Sequence, residues 1–172
     1  KEDNKQQFGG FWTEKKLQIV RKYMETYTKA LKKQAWINEL VYIDGFAGSG
    51  ERLDKFTGEL CEGSASISLN SGFDKWHFIE KNPVNNLKLN QLKINVENSG
   101  KIEQDKIHIY KDNFNNALVN VLDNYKWKKE RALCFLDPED NDDSIVNFSS
   151  LSKIAETKAR SEEHTSELQS PD

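Results

Sequence analysis

At 172 residues the chain has room for one ordinary domain and too little for two. Hydrophobic residues at 36% against 31% charged describe a polar globular chain, and no apolar run approaches the roughly 20 residues needed to cross a bilayer. The formal charge of -3 shows no basic excess, so a nucleic-acid partner is allowed but gains no support from charge. Residues 1–7 are charged and lack an apolar stretch, so no secretory signal is expected. Cys61 and Cys134 lie far apart and suggest no metal spacing; two reduced, packed thiols in a cytoplasmic protein are the expectation.

In chain order, residues 8–12 (FGGFW) form an aromatic and glycine-rich lead-in. Thr13 then caps a predicted helix whose apolar stripe, Leu17, Val20, Tyr23/Met24, Tyr27 and Leu31, runs to about Gln34. Its many lysines read as a solvated face. Leu40 to Ile43 is a short buried strand ending at Asp44, and residues 51–63 are polar and read as an inserted loop. Ser64 caps a short helix to Leu69. The cycle repeats: a strand at 76–79 ends at Glu80, and Asn82-Pro83 opens a helix with Leu87, Leu92 and Val96 inward. A third strand, 107–110, ends near Asp112 and precedes an amphipathic helix carrying Phe114, Leu118 and Val121. A fourth, 132–136, ends at Asp137-Pro138. Asp143 or Ser144 opens one more helix with Phe148, Leu151 and Ile154/Ala155 inward.

The tail from Arg160 (RSEEHTSELQSPD) has no apolar periodicity, and its first eleven residues resemble the in-frame translation of a sequencing adapter. We therefore expect one native unit over residues 1–159 and a non-native tail over 160–172. The tail holds Arg160 against Glu162, Glu163, Glu167 and Asp172, so the remainder carries 24 basic and 24 acidic residues and is neutral. On this expectation the sheet is incomplete at its C-terminal side, and the fourth strand is an unprotected edge, a liability for solubility.

Strands alternating with helices predict a three-layer α/β fold with a parallel, Rossmann-like sheet. All four strands end in a carboxylate: Asp44, Glu80, Asp112 and Asp137. Ligands of open parallel sheets bind beyond those strand ends, at the point where strand order reverses. Asp44 also begins a turn containing Gly45, Phe46, Gly48 and Gly50. Spaced glycines let backbone N–H groups approach a ligand. The spacing G-x-x-G-x-G does not match the dinucleotide fingerprint. An acid followed by such a turn suits S-adenosylmethionine, whose amino-acid end lets Asp44 face it.

Glu80 is placed either for the ribose hydroxyls or as a helix-approach acid. Asp112 either contacts the adenine amino group, with Phe114 or Phe46 on the ring, or caps the helix that follows. Asp137-Pro138 is either a substrate-facing catalytic pair or a stop signal. His77 and His108 have no nucleophile partner and read as packing residues.

The segments FGGFWTEKKLQIVRKYMETYTKAL, VYIDGFAGSG, GSASISL, WHFIEKNP and RALCFLDP, in this order, resemble the three-Cys-motif partner proteins (TcmP), a bacterial methyltransferase-like family. The resemblance spans nearly all of residues 8–157. It implies S-adenosylmethionine as cofactor, with Asp44, Gly48 and Gly50 as the glycine turn, Glu80 as the second-strand acid and Asp137-Pro138 as the fourth-strand motif. It also implies a three-Cys-motif protein encoded nearby as partner, which leaves a non-catalytic partner module as the alternative function. The family continues FLDP with an aromatic and a glycine, whereas Glu139 to Asp143 follow here. That departure weakens the case for transfer to a nucleobase.

Overall fold

The computed structural model describes residues 7–53, 58, 60–125, 127–138, 146–157 and 160–163. The elements are α1 (Gln7–Leu31), β1 (Glu39–Asp44), β2 (Glu51–Leu53), β3 (Leu60–Glu62), α2 (Ser64–Ser68) and β4 (Lys75–Ile79). They continue with α3 (Pro83–Asn98), β5 (Ile107–Tyr110), α4 (Phe114–Asp123), β6 (Glu130–Leu136), α5 (Phe148–Glu156) and β7 (Arg160–Glu163).

Five of the strands form one parallel sheet in the order β5-β4-β1-β6-β7. Side chains alternate faces along a strand, and here both faces are buried, which is why the strands read as unbroken apolar runs. Leu40 and Tyr42 point to one layer with Val20, Met24 and Tyr27 of α1, Ile67 of α2 and Leu89 of α3. Val41 and Ile43 point to the other, with Phe114, Leu118 and Val121 of α4 and Ile154 of α5. The expected three-layer α/β architecture is present.

Helix α1 runs against the strands. Its C-terminal end meets the sheet's amino edge, where Lys32 faces Asp74 before β4, and Lys16 near its middle reaches Asp137 after β6. Tyr27 donates to the Ala132 carbonyl between the two. The remainder of α1, from Gln7 to Lys15, adds about 13 Å of helix before Lys16, at 1.5 Å of rise per residue.

Several local expectations are corrected. Helix α1 begins at Gln7, six residues before Thr13, and runs through Gly9 and Gly10 despite their poor helix propensity. Ser64 is not the cap of α2; Gly63 holds that position without a side-chain bond. The stretch 51–63 is not a plain loop, since β2 and β3 pair as an antiparallel hairpin. In α3 the buried side carries Asn86 and Leu89, while Leu87 is 71% exposed. That helix has apolar residues on opposite sides, so periodicity alone could not choose the stripe facing the core. Phe148 is exposed at the start of α5, and Asn147 caps that helix; Asp143 and Ser144 lie outside the described residues. Cys61 is exposed, and only Cys134 is packed.

The fourth predicted strand, β6, is not an edge. Residues Arg160 to Glu163 pair with Leu133 to Leu136 in parallel register. Ladder bonds use the backbone, so a segment without apolar patterning can still supply a strand. No helix among the described residues is long and apolar enough to cross a membrane.

Candidate functional site at the carboxyl edge of the sheet

Strand order reverses between β1 and β6: the chain moves from β1 toward β4 and β5, then returns to β6 on the opposite side. The crevice of an open α/β sheet lies beyond the carboxyl ends at such a point. The sheet sets Asp112, Glu80, Asp44 and Asp137 at successive strand ends, in the order β5, β4, β1, β6, with Asp44 level with Phe78 and Phe135 and so two residues short of Glu80 and Asp137. With strands about 4.8 Å apart, these ends span roughly 15 Å across the sheet. Two ladder bonds continue past the strands and pin these ends: Gly45 N–H donates to the Phe135 carbonyl at 2.9 Å, and Glu80 N–H to the Tyr110 carbonyl at 3.0 Å.

Asp44 is fully buried, which revises the expectation that it faces a ligand. One carboxylate oxygen accepts from the Ser64 hydroxyl at 2.6 Å and from the Tyr42 hydroxyl at 3.1 Å. The other accepts from the Phe46 N–H at 3.2 Å. Asp44 thus ties the glycine turn to the start of α2. Burial pushes its carboxyl up to about 6; the three donors oppose that rise, and the Asp137 charge adds to it. Tyr42 and Cys134 are also pushed up, by burial first and by the Asp44 charge second.

The turn itself divides its labour. A Cβ on Gly45 would come within 2.7 Å of both Leu136 and Phe114, so this glycine serves close packing of the core. Gly48 has φ +61 and would meet nothing with a Cβ, so it lies against open space. Gly50 has φ +80, and a Cβ there would come within 2.7 Å of Leu92. Both adopt the left-handed conformation that glycine tolerates. The Gly50 carbonyl accepts from Ser66 at 2.5 Å and from Gly63 N–H at 2.9 Å, which binds the turn's far end to the hairpin.

Phe46 is half-buried and stacks on Phe114 with centroids 5.6 Å apart. Phe114 is in the core and has no face to offer a ligand, so of the two rings Phe46 is the accessible one. Glu80 is half-buried, with one oxygen accepting from Asn82 N–H at 2.7 Å, a helix-approach bond. Asp112 is exposed and accepts from Asn113 N–H, but the cap of α4 is Asn113, whose side chain accepts from Asn116 N–H.

Asp137 is partly exposed and carries an ion pair with Lys16, whose Nζ lies 2.6 and 2.7 Å from its two oxygens. Pro138 beside it is exposed. Sequence reasoning missed Lys16, which sits 121 residues away and was one lysine among many on α1. It also missed the role of Ser64, whose hydroxyl is used on Asp44.

Two cavities of about 300 and 310 Å³ flank the exposed strand β3, both touching Cys61 and Glu62. Neither is lined by any of the strand-end acids. The buried carboxyl of Asp44 and the glycine turn converge instead at the strand ends.

Neither a protein-family model nor a curated protein matches the sequence. Solved structures do. Protein LPL1258 from Legionella pneumophila matches with a TM-score of 0.50 at 15% identity, over 80% of this chain and 60% of that one. A candidate methyltransferase, yhhF from Escherichia coli, matches at 0.46 and 13% identity, over 81% and 61%. A candidate methylase from Haemophilus influenzae, HI0767, matches at 0.45 and 19%, over 88% and 84%. The likeness bears on the fold alone, and the Legionella structure carries it. The chain spans about three fifths of the length of the first two of these proteins.

Proposed function

We propose that this chain holds S-adenosylmethionine along the carboxyl edge of its sheet, as part of a methyltransferase-like protein. The observation that carries this reading is the succession of strand-end acids Asp112, Glu80, Asp44, Asp137 beside a glycine turn at the strand-order reversal. The open space at Gly48 and the half-buried ring of Phe46 support this reading. Glu80 stands where a ribose would bring its hydroxyls, and Asp112 is accessible for an exocyclic amine. Asp44 contributes by holding the turn and α2 in place.

When bound, the cofactor supplies an electrophilic methyl group on a sulfonium sulfur. The chain's own part is to bind and orient, and Asp137-Pro138 lies at the edge where an acceptor nucleophile would be held in line. The resemblance to the three-Cys-motif partner proteins supports the same reading. A second reading, a cofactor-fold module that docks on a neighbouring three-Cys-motif protein without catalysis, is favoured by Glu139 to Asp143 standing where that family has an aromatic.

Isothermal titration of the full chain with S-adenosylmethionine and S-adenosylhomocysteine tests the first reading. Saturable binding at one site is expected, weakened by Glu80→Ala. Absence of binding by both compounds to a folded chain would remove the cofactor assignment.

A further inference from the structure

Lys16 and Asp137 come from opposite ends of the described chain and meet at the strand-order reversal, across from the glycine turn. Their side chains keep 25% and 37% of their surface, so the pair is partly dehydrated yet reachable from solvent. Lys16 binds the two Asp137 oxygens almost equally, which uses its charge as a point and demands no fixed geometry. An ion pair this exposed stabilises a fold by only about 0–1 kcal/mol, so exchanging its partners costs little. The other cations that α1 pairs are engaged elsewhere: Arg21 with Glu62 of the hairpin, Lys29 with Glu25, and Lys32 with Asp74 at the amino edge. Lys16 instead reaches Asp137 at the carboxyl edge. Asp44, the other acid flanking the reversal, is buried and engaged by three donors, which leaves Asp137 as the accessible anion there.

A juxtaposed cation and anion in one crevice complement a ligand group that carries both charges close together. We propose that Lys16 and Asp137 recognise the zwitterionic amino-acid end of the ligand, Lys16 taking its α-carboxylate and Asp137 its α-ammonium. In the ligand-free chain the two residues satisfy one another. The inference rests on the adenosyl-ligand reading above and deepens it. It moves recognition of the amino-acid end from Asp44, where the sequence put it, to a pair that sequence spacing could not reveal.

The test compares S-adenosylhomocysteine with 5′-methylthioadenosine, which lacks the amino-acid end, by calorimetry on the full chain. The unaltered chain is expected to prefer S-adenosylhomocysteine by at least tenfold, on the order of one charge-assisted hydrogen bond. Lys16→Gln and Asp137→Asn should each erase about tenfold of that preference while leaving 5′-methylthioadenosine binding unchanged. Lys16→Arg should retain most of it. Melting curves of the variants exclude unfolding as the cause. A preference unchanged in Lys16→Gln, or no preference in the unaltered chain, overturns the inference while the adenosyl reading stands. If neither compound binds, both fall together.

Discussion

Asp44 carries a cost that its three hydrogen bonds do not remove. A carboxyl held near 6 instead of the ordinary 3.8 corresponds to roughly 3 kcal/mol of destabilisation once ionised. Below about pH 4 the group is protonated in the folded and unfolded chain alike, and the penalty vanishes. As pH rises through 6 the folded chain must ionise it in the interior, and stability falls. Asp44→Asn keeps an acceptor for Ser64 or Phe46 and removes the charge. Urea unfolding should therefore find the variant about 1–3 kcal/mol more stable at pH 8 and no more stable at pH 4. An equal effect at both values would show that charge burial is not the cause. From sequence, Asp44 was legible as a strand-end acid at a turn. Its burial was not, because that depends on Ser64 and Tyr42 closing over it.

Among the elements, β4, β5 and the end of α4 meet around His77, which is buried on the face opposite Trp76 and Phe78. Its two ring nitrogens bond the hydroxyls of Tyr110 at 2.9 Å and Tyr125 at 2.6 Å, and its ring stacks on His108 at 5.0 Å. A neutral imidazole has one donor and one acceptor nitrogen, so one hydroxyl then accepts and the other donates. Burial first, then the charges of His108 and Lys75, push it down to about 3. This contribution is complete above pH 6.5 and is lost as pH falls toward 3, by up to about 1.4 kcal/mol per pH unit. It opposes the Asp44 contribution, which grows over the same descent. Gln can also donate and accept, so His77→Gln should keep the bonds while removing the titration. Between pH 6 and 4 the variant should gain stability on acidification, whereas Asp44→Asn should lose it more steeply than the unaltered chain. Parallel slopes for all three proteins would exclude this assignment. The sequence reading of His77 as a packing residue holds; its tyrosine partners, 33 and 48 residues away, could not be read from local pattern.

Across the whole molecule the four strands with apolar runs were legible, because burial on both faces leaves a compositional trace. Helix faces were less so: α3 offers two apolar stripes, and Leu87 ended on the exposed one. Strand β7 left no trace at all, since pairing alone defines it. That makes its contribution testable apart from its side chains. A chain ending at Thr157 would leave the Leu133 to Leu136 backbone unpaired on one side, beside a core in which Cys134 and Leu136 are fully buried. Each lost ladder bond is worth about 0.5–1.5 kcal/mol net, and an open edge is a template for association. The shortened chain should lose about 2–4 kcal/mol in urea unfolding and scatter light at concentrations where the 172-residue chain does not. Ser161→Pro, which removes one backbone donor and restricts its neighbour, should give part of the same loss. Replacing residues 160–163 by threonines should give none, because the backbone pairs are retained and threonine favours strands. If the shortened chain unfolds and scatters like the full one, β7 does not stabilise the sheet, and β6 serves as its working edge.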